Sequence, residues 1–318
     1  MPTSTLDAWA QQTVSSAALS YFLMIGREVA TLYLWGMAFF FIERLRPAEP
    51  QTPFFKRDFK TELCYPIFNA AFSTPIYTFL VLALTLGLLE PYTPHYILGA
   101  HVTTWPYWGQ VLFALLVADA AVYIEHRFAH RVLWDFHSMH HMAKEVSWLT
   151  WARVHPVNVI TIGLVAVIMR FIFGFASEAI VTAGWIGAAL SVWEHSNLDF
   201  KLPKPLCYLV VTPHFHRWHH ASEKEAIDKN FCLIFPFIDL IMGTYYCPDR
   251  KPHAYGVHRD RDPVTGELSP ELPDTFLEQV VYPFKKQLER IPAFAKRTEA
   301  VPTSSTQTQR ARGFAPGS

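Results

Sequence analysis

Two histidine clusters constrain this chain more than any other feature. The first, Glu125 to His141 (EHRFAHRVLWDFHSMHH), places His126 and His130 at i, i+4, then His137, His140 and His141 at i, i+3 and i+4. On a helix these spacings set each group of side chains one turn apart on one face. The second, His214 to His220 (HFHRWHH), repeats the i, i+3, i+4 spacing at His216, His219 and His220. Imidazole is a borderline-soft ligand that suits iron, zinc and copper. The expectation is that the fold exists to bring the two clusters together as a metal site. One zinc ion takes three or four protein ligands, so the eight histidines with HxxxH or HxxHH spacing are too many for a single ion and enough for two. Neither an HExxH zincin pattern nor a GxSxG elbow occurs.

Composition says where such a site would sit. Lys plus Arg equals Asp plus Glu at 27 each in 318 residues, so nothing favours nucleic acid as a partner. Charged residues make up 17%, against about 25% in soluble domains, while apolar residues reach 51% with 25 Phe and 10 Trp. That balance suits a lipid-facing surface. Cys64, Cys207, Cys232 and Cys247 are scattered without a CxxC pair, which argues against a disulfide framework or a thiolate zinc site.

Along the chain, residues 1–16 lack a basic n-region, so no cleavable leader is expected. Apolar runs follow at Leu19–Ile42, broken by Arg27 and Glu28, at Tyr65–Leu89, and at Trp105–Ile124, which leads into the first cluster. Val157–Trp193 reads as a helical hairpin broken near Gly174 to Glu178, with His155 at its entrance and His195 at its exit. Arg44, Arg46, Lys56, Arg57 and Lys60 follow the first run, Lys and Arg are absent from 90–104, and Arg127 and Arg131 follow the third. The positive-inside rule then puts both clusters on the cytoplasmic side, with Trp105, Tyr107 and Trp108 as an interfacial belt. The stretch Ile227–Tyr246 reads as a cap packed on the metal site. Residues 272–291 read as a helix with Asp274 as N-cap and a kink at Pro283. The tail from Lys296 has a disordered composition. The expected fold is all-α: an integral membrane bundle of four to five membrane helices with a cytosolic helical cap carrying a dimetal site. The expected divisions are 1–16, 17–258, 259–295 and 296–318.

The third histidine box extends the pattern: Thr212, Pro213, His216, Arg217, His219 and His220 are followed by Asp228, Asn230, Asp239, Gly243, Thr244 and Tyr245. With RVHP at 153–156 and HSN at 195–197, residues 105–246 resemble the fatty acid hydroxylase/sterol desaturase superfamily. Ile238 and Met242 depart from its usual Trp and Phe. The resemblance implies a membrane-bound enzyme with two iron ions, O2 as co-substrate and electrons from a separate reductase, ferredoxin or cytochrome. The substrate it implies is a lipid (fatty acyl, sterol, carotenoid or polar lipid), hydroxylated or, with the same site, desaturated. A reading from a different class is a membrane metal-binding or transport protein; histidines clustered at one end of the spans speak against it.

The eight box histidines are the expected ligands. His195 alone reads as a cap or core residue, and the resemblance adds it to the ligands. His155 is either a ligand or a supporting donor. His214, two residues before His216, points elsewhere on a helix, towards support or substrate. Glu125, Asp135, Glu194, Asp228 and Asp239 are candidates to accept the second N–H of a ligating ring, with Asn230 beside them; each is equally a cap or a surface charge. Asp119 is costly inside an apolar run and either lines a substrate path or hydrogen-bonds a neighbouring helix. Trp148, Trp151 and Trp218 could wall a pocket. His95, His101, His253 and His258 read as ordinary surface residues.

Overall fold

A computed structural model of the protein describes residues 30, 34–84, 102–173, 175–257 and 272–290. The expected all-α character holds: among the described residues only two isolated β-bridges accompany the helices. Helix α1 covers 34–42. α2 (Phe59–Phe68) passes through a π-helical turn, Asn69–Ser73, into α3 (Thr74–Leu84). α4 (Tyr107–Arg131), α5 (Trp134–His141), α6 (Pro156–Phe173) and α7 (Ser177–His195) follow, then α8 (Pro213–His219), α9 (Phe237–Met242) and α10 (Phe276–Glu289).

α4 is the hub. Its apolar stretch continues without a break into the first histidine pair, because no proline, and past Gly109 in the first turn no glycine, interrupts it before Arg131. It packs on α6 and α7, where Val111, Ala114 and Leu115 meet Ala179, Ala183 and Ile234 in one buried cluster. Among the described residues it is the one helix long and apolar enough to cross a membrane. Trp105, Tyr107 and Trp108 are exposed around its start. The Val157–Trp193 stretch folds as two helices, with His155 just before α6 and His195 as the last residue of α7. The first apolar run is described only at residue 30 and over 34–42. His95, His101, His258 and the tail lie outside the described residues.

Two expectations change. Lys56 enters the loop charge count of the positive-inside rule, yet it is buried and pairs with Glu62 at 2.7 Å, also donating to Thr150 Oγ1 and the Glu145 carbonyl. Arg153, itself buried, joins this group through Asp58 at 2.9 Å. A buried cation is tolerated only with such partners. Second, α10 is capped at Thr275, whose hydroxyl donates to Glu278 at 2.7 Å, while Asp274 pairs with Arg57. α10 continues as helix through Pro283, which is buried against the protein.

The cap stretch is held by two carboxylates from different helices. Asp119 of α4 accepts the N–H groups of Leu233, Ile234 and Phe235 at 2.8, 3.2 and 2.7 Å. Asp239 of α9 accepts those of Phe231 and Cys232 at 2.9 and 3.0 Å, and the Thr244 hydroxyl. Of the two roles expected for Asp119, the structure therefore gives it the hydrogen-bonding one.

Candidate metal centre

The two clusters converge into two groups of inward-facing ring nitrogens. His126, His130, His137, His141 and His219 form one, and His140, His195, His216 and His220 the other; within each group the candidate ligand atoms lie within 4.8 Å of one another. Neither group belongs to one sequence box. Each i, i+4 pair stays together: 126 with 130, 137 with 141, 216 with 220. The histidine at i+3 sits about 100° round the helix and reaches into the other group, His140 from α5 and His219 from α8. The boxes are thus interleaved, and α7 completes the second group with His195.

The contacts inside the groups run between Nε2 atoms. In the first group His126 and His137 approach to 3.0 Å, His130 and His141 to 3.1 Å, and His137 and His141 to 3.2 Å. In the second the approaches are 2.9 Å for His195 and His216, 3.1 Å for His216 and His220, and 3.2 Å for His140 and His195. On the far side of the rings, Nδ1 of His126 donates to the Phe231 carbonyl and Nδ1 of His219 to the Lys229 carbonyl, both at 2.8 Å. Nδ1 of His140 donates to Arg153 O at 3.2 Å and that of His195 to Ser191 O at 2.7 Å. A carbonyl only accepts, so these four rings carry their proton on Nδ1 and turn a bare Nε2 lone pair inward.

His140 and His195 make the consequence plain. Both donate through Nδ1 to a carbonyl, and their two Nε2 lone pairs face each other at 3.2 Å. Protonating one ring would relieve the conflict, but burial, with neighbouring imidazoles adding to it, pushes His140 well below the usual imidazole range. Burial does the same to His137, His141, His216, His219 and His220. Neutral rings with converging lone pairs fit a metal cation in each group.

The loop 228–231 orients three of the five rings in the first group. Asp228 Oδ1 faces His130 Nδ1 at 3.2 Å, and the next two contacts are the Lys229 and Phe231 carbonyls just described. Asp228 and Asn230 both take positive φ, 57° and 60°, a conformation that Asp and Asn tolerate better than most residues. Asn230 fixes the loop by donating to Phe215 O and Tyr246 O and accepting from Tyr246 N. Replacing Asp228 with Asn keeps that backbone and removes the carboxylate. Metal affinity of the first group is then expected to fall about 10–100-fold, the usual cost of losing an outer partner, with the melting temperature unchanged. Titration of metal-depleted protein checks this, and unaltered affinity would mean that the carboxylate plays no part.

Other predicted residues divide. His155 joins neither group: its Nε2 faces the Val280 carbonyl at 3.0 Å, and its Nδ1 accepts from Val157 N. His214 also stays outside, with Nε2 on Pro248 O at 2.8 Å. Asp135 turns away from the histidines to Gln287 and Arg290 of α10. Glu125 accepts from the Thr161 hydroxyl at 2.6 Å. Glu194 is fully buried, its oxygens 3.6 Å from Nδ1 of His195 and of His216, without a hydrogen-bond partner among the described residues. Trp151 lines the cavity described next, Trp218 packs against Tyr246, and Trp148 lies against Gly36 of α1, where a Cβ would meet its ring. His253 is exposed. The outer carbonyls of Arg153, Ser191, Lys229 and Phe231 were missed, since a backbone group leaves no mark on residue type.

A cavity of about 520 Å³ ends on both groups. Its floor is His126, His137, His140, His195 and His216, with Glu125 and Glu194 beside them. Its walls are apolar and come from α2, the π turn, α3, α4 and α6, including Ile67, Ala70, Tyr77, Val122 and Ile162. Gly163 lets the Tyr77 ring close one wall.

Two interleaved histidine groups under an apolar cavity form a ligand set that fits two metal ions beside space for a hydrophobic molecule. Comparison with known proteins shows what the chain is similar to. Residues 111–244 match the family model for fatty acid hydroxylase. The chain is 26% identical over 185 residues to ornithine lipid hydroxylase OlsE of Rhizobium tropici, covering 58% of this chain and 53% of that protein. It is 32% identical over 159 residues to very-long-chain aldehyde decarbonylase GL1-1 of Oryza sativa subsp. indica (45% and 25%). It is 27% identical over 146 residues to human (Homo sapiens) alkylglycerol monooxygenase (45% and 32%). The match spans about half the length of the first of these relatives and less of the others. No solved structure matches. Over residues 111–244 the chain is therefore similar to the fatty acid hydroxylase family.

Proposed function

We propose that the protein is an integral membrane, O2-dependent hydroxylase whose nine clustered histidines hold two iron ions and whose substrate is a membrane lipid. The observation that carries this reading is the facing pair of Nε2 lone pairs on His140 and His195, at the floor of an apolar cavity. His126, His130, His137, His141 and His219 would hold one ion, and His140, His195, His216 and His220 the other. Bound there, two irons would pass electrons from the reductant to O2 and supply the oxidising power that an unactivated C–H bond demands; histidine alone would accept other metals, so iron comes from the family.

The chain's own residues do the rest. The apolar walls take up a hydrocarbon segment, exclude water and bring one carbon to the histidine floor. Asp228 and the carbonyls behind the rings hold His126, His130, His140, His195 and His219 each in one tautomer and orientation. The Glu194 carboxylate faces Nδ1 of His216 and completes the outer shell of the second group. Electrons come from a separate reductase, ferredoxin or cytochrome. Arg127 and Arg131 beside the first group support its placement on the cytoplasmic side. A metal-transport role gains no support from this arrangement, because the ring nitrogens close on one another in place of lining a path.

The test is turnover by iron-loaded protein in bilayers, with a chemical or protein reductant, lipid extract and 18O2. A lipid product heavier by one labelled oxygen is expected. A product lighter by two hydrogens would make the protein a desaturase, and absence of any oxidised lipid with both irons bound would refute the reading.

A further inference from the structure

α10 carries an apolar stripe that is largely exposed, touched at its edge where Phe284 meets Phe136 and His155. Leu277, Val281, Phe284 and Leu288 recur at spacings of four, three and four, which aligns them on one face; each is between 43% and 70% exposed. A different face packs on the protein. Phe276 stacks edge-on with Tyr65 and Phe68, Gln279 bonds to Tyr65, and Gln287 and Arg290 reach Asp135. Lys285, Lys286, Glu278 and Glu289 occupy a third face. An exposed apolar face beside a charged one is the pattern of a helix lying in a membrane interface.

The surroundings point to lipid as the occupant. Beside the stripe an aromatic row runs from Phe276, on the packed face, through Phe68 to Phe72, ring to ring at 5.4 and 4.8 Å. From Phe72 it joins exposed Ile76 and Phe79 of α3. Ile67 on α2 belongs to this surface and also lines the cavity, so the cavity opens there. A second copy of the chain is a poorer fit, since one line of four side chains is far short of the 20–30 residues a side of a stable interface. Residues 291–318 are rich in Thr, Ser, Gln and Arg, unsuited to covering such a stripe.

We propose that α10 is a membrane-interface helix that beds its Leu277–Leu288 stripe in the bilayer and frames a lateral lipid mouth at Ile67. It rests on the membrane reading above. α10 also ties this mouth to the metal centre. Val280 O receives His155, and Asp135, two residues before His137, is held by Gln287 and Arg290.

The test places photoreactive benzoylphenylalanine at Val281, Leu288 or, as control, Lys286 in full-length protein in phosphatidylcholine nanodiscs. Mass spectrometry after irradiation should find phospholipid adducts at 281 and 288 and none at 286. Adducts at 281 and 288 to a second copy, to another part of the chain, or to nothing would overturn the proposal. As a second arm, Val281→Asp with Leu288→Asp should raise KM for bilayer-borne lipid about tenfold at unchanged kcat. Detergent-dispersed substrate should restore KM, and an unmoved KM would remove the mouth from the proposal. Crosslinking needs neither iron nor turnover, so lipid adducts on a protein that oxidises no lipid would sink the hydroxylase reading alone.

Discussion

His140→Ala is expected to cut turnover to less than about one-hundredth and to lower the iron content from two ions to one. Losing even an outer partner of a ligand costs about 10–100-fold, and this change removes a ring that faces the cavity and the second group directly. The first group should keep its ion, because His137 and His141 on the same helix belong there. Elemental analysis of purified protein, read beside the 18O2 assay, checks both parts. His214→Ala is the matched control: it removes a buried histidine of the third box that joins neither group, and both irons should remain. Full activity with two irons in His140→Ala would refute the interleaved assignment.

Asp119→Ala is expected to be the most damaging single change outside the histidines. Its carboxylate accepts three consecutive backbone N–H groups. Each buried N–H left without an acceptor costs about 1–3 kcal/mol. Relief from burying the carboxylate offsets part of this, so a net loss of about 3 kcal/mol is expected. At about 2.1 cal/mol/K of unfolding entropy per residue, a chain of 318 residues then loses about 4–5 °C of melting temperature. The loop it holds carries Phe231, whose carbonyl fixes the His126 ring, so metal affinity of the first group should weaken as well. Asp119→Asn keeps one accepting oxygen and should fall between the two. Thermal melting of detergent-solubilised protein, with metal titration, is the measurement. An unchanged melting temperature in Asp119→Ala would show that the loop is held by something else.

Much of the candidate site was legible from residue type and spacing, because side-chain direction on a helix follows from its period. HxxxH and HxxHH predicted ring pairs one turn apart, and those pairs are present. The turn at 228–230 was legible as a polar break carrying two candidate supporting residues, Asp228 and Asn230. Its role depends on positive φ at Asp228 and Asn230 and on which carbonyls they turn inward. His155 misled for the opposite reason: it sits beside the hairpin as expected, but both ring nitrogens are taken by backbone groups. Lys56 misled because a charge count cannot see burial. Its partners are Glu62, six residues away, and the 145–150 segment, far away in sequence.

By itself the sequence determined the helical class, the apolar runs, the i, i+4 histidine pairs and a histidine count beyond what one ion takes. All of these depend on local period and composition. Only the tertiary structure decided how nine histidines divide. His140 leaves its box neighbours for His195, His216 and His220, and His219 crosses to the first group. That division depends on how α4, α5, α7 and α8 pack, and on which distant carbonyl meets each Nδ1. These are long-range contacts, and no local period encodes them.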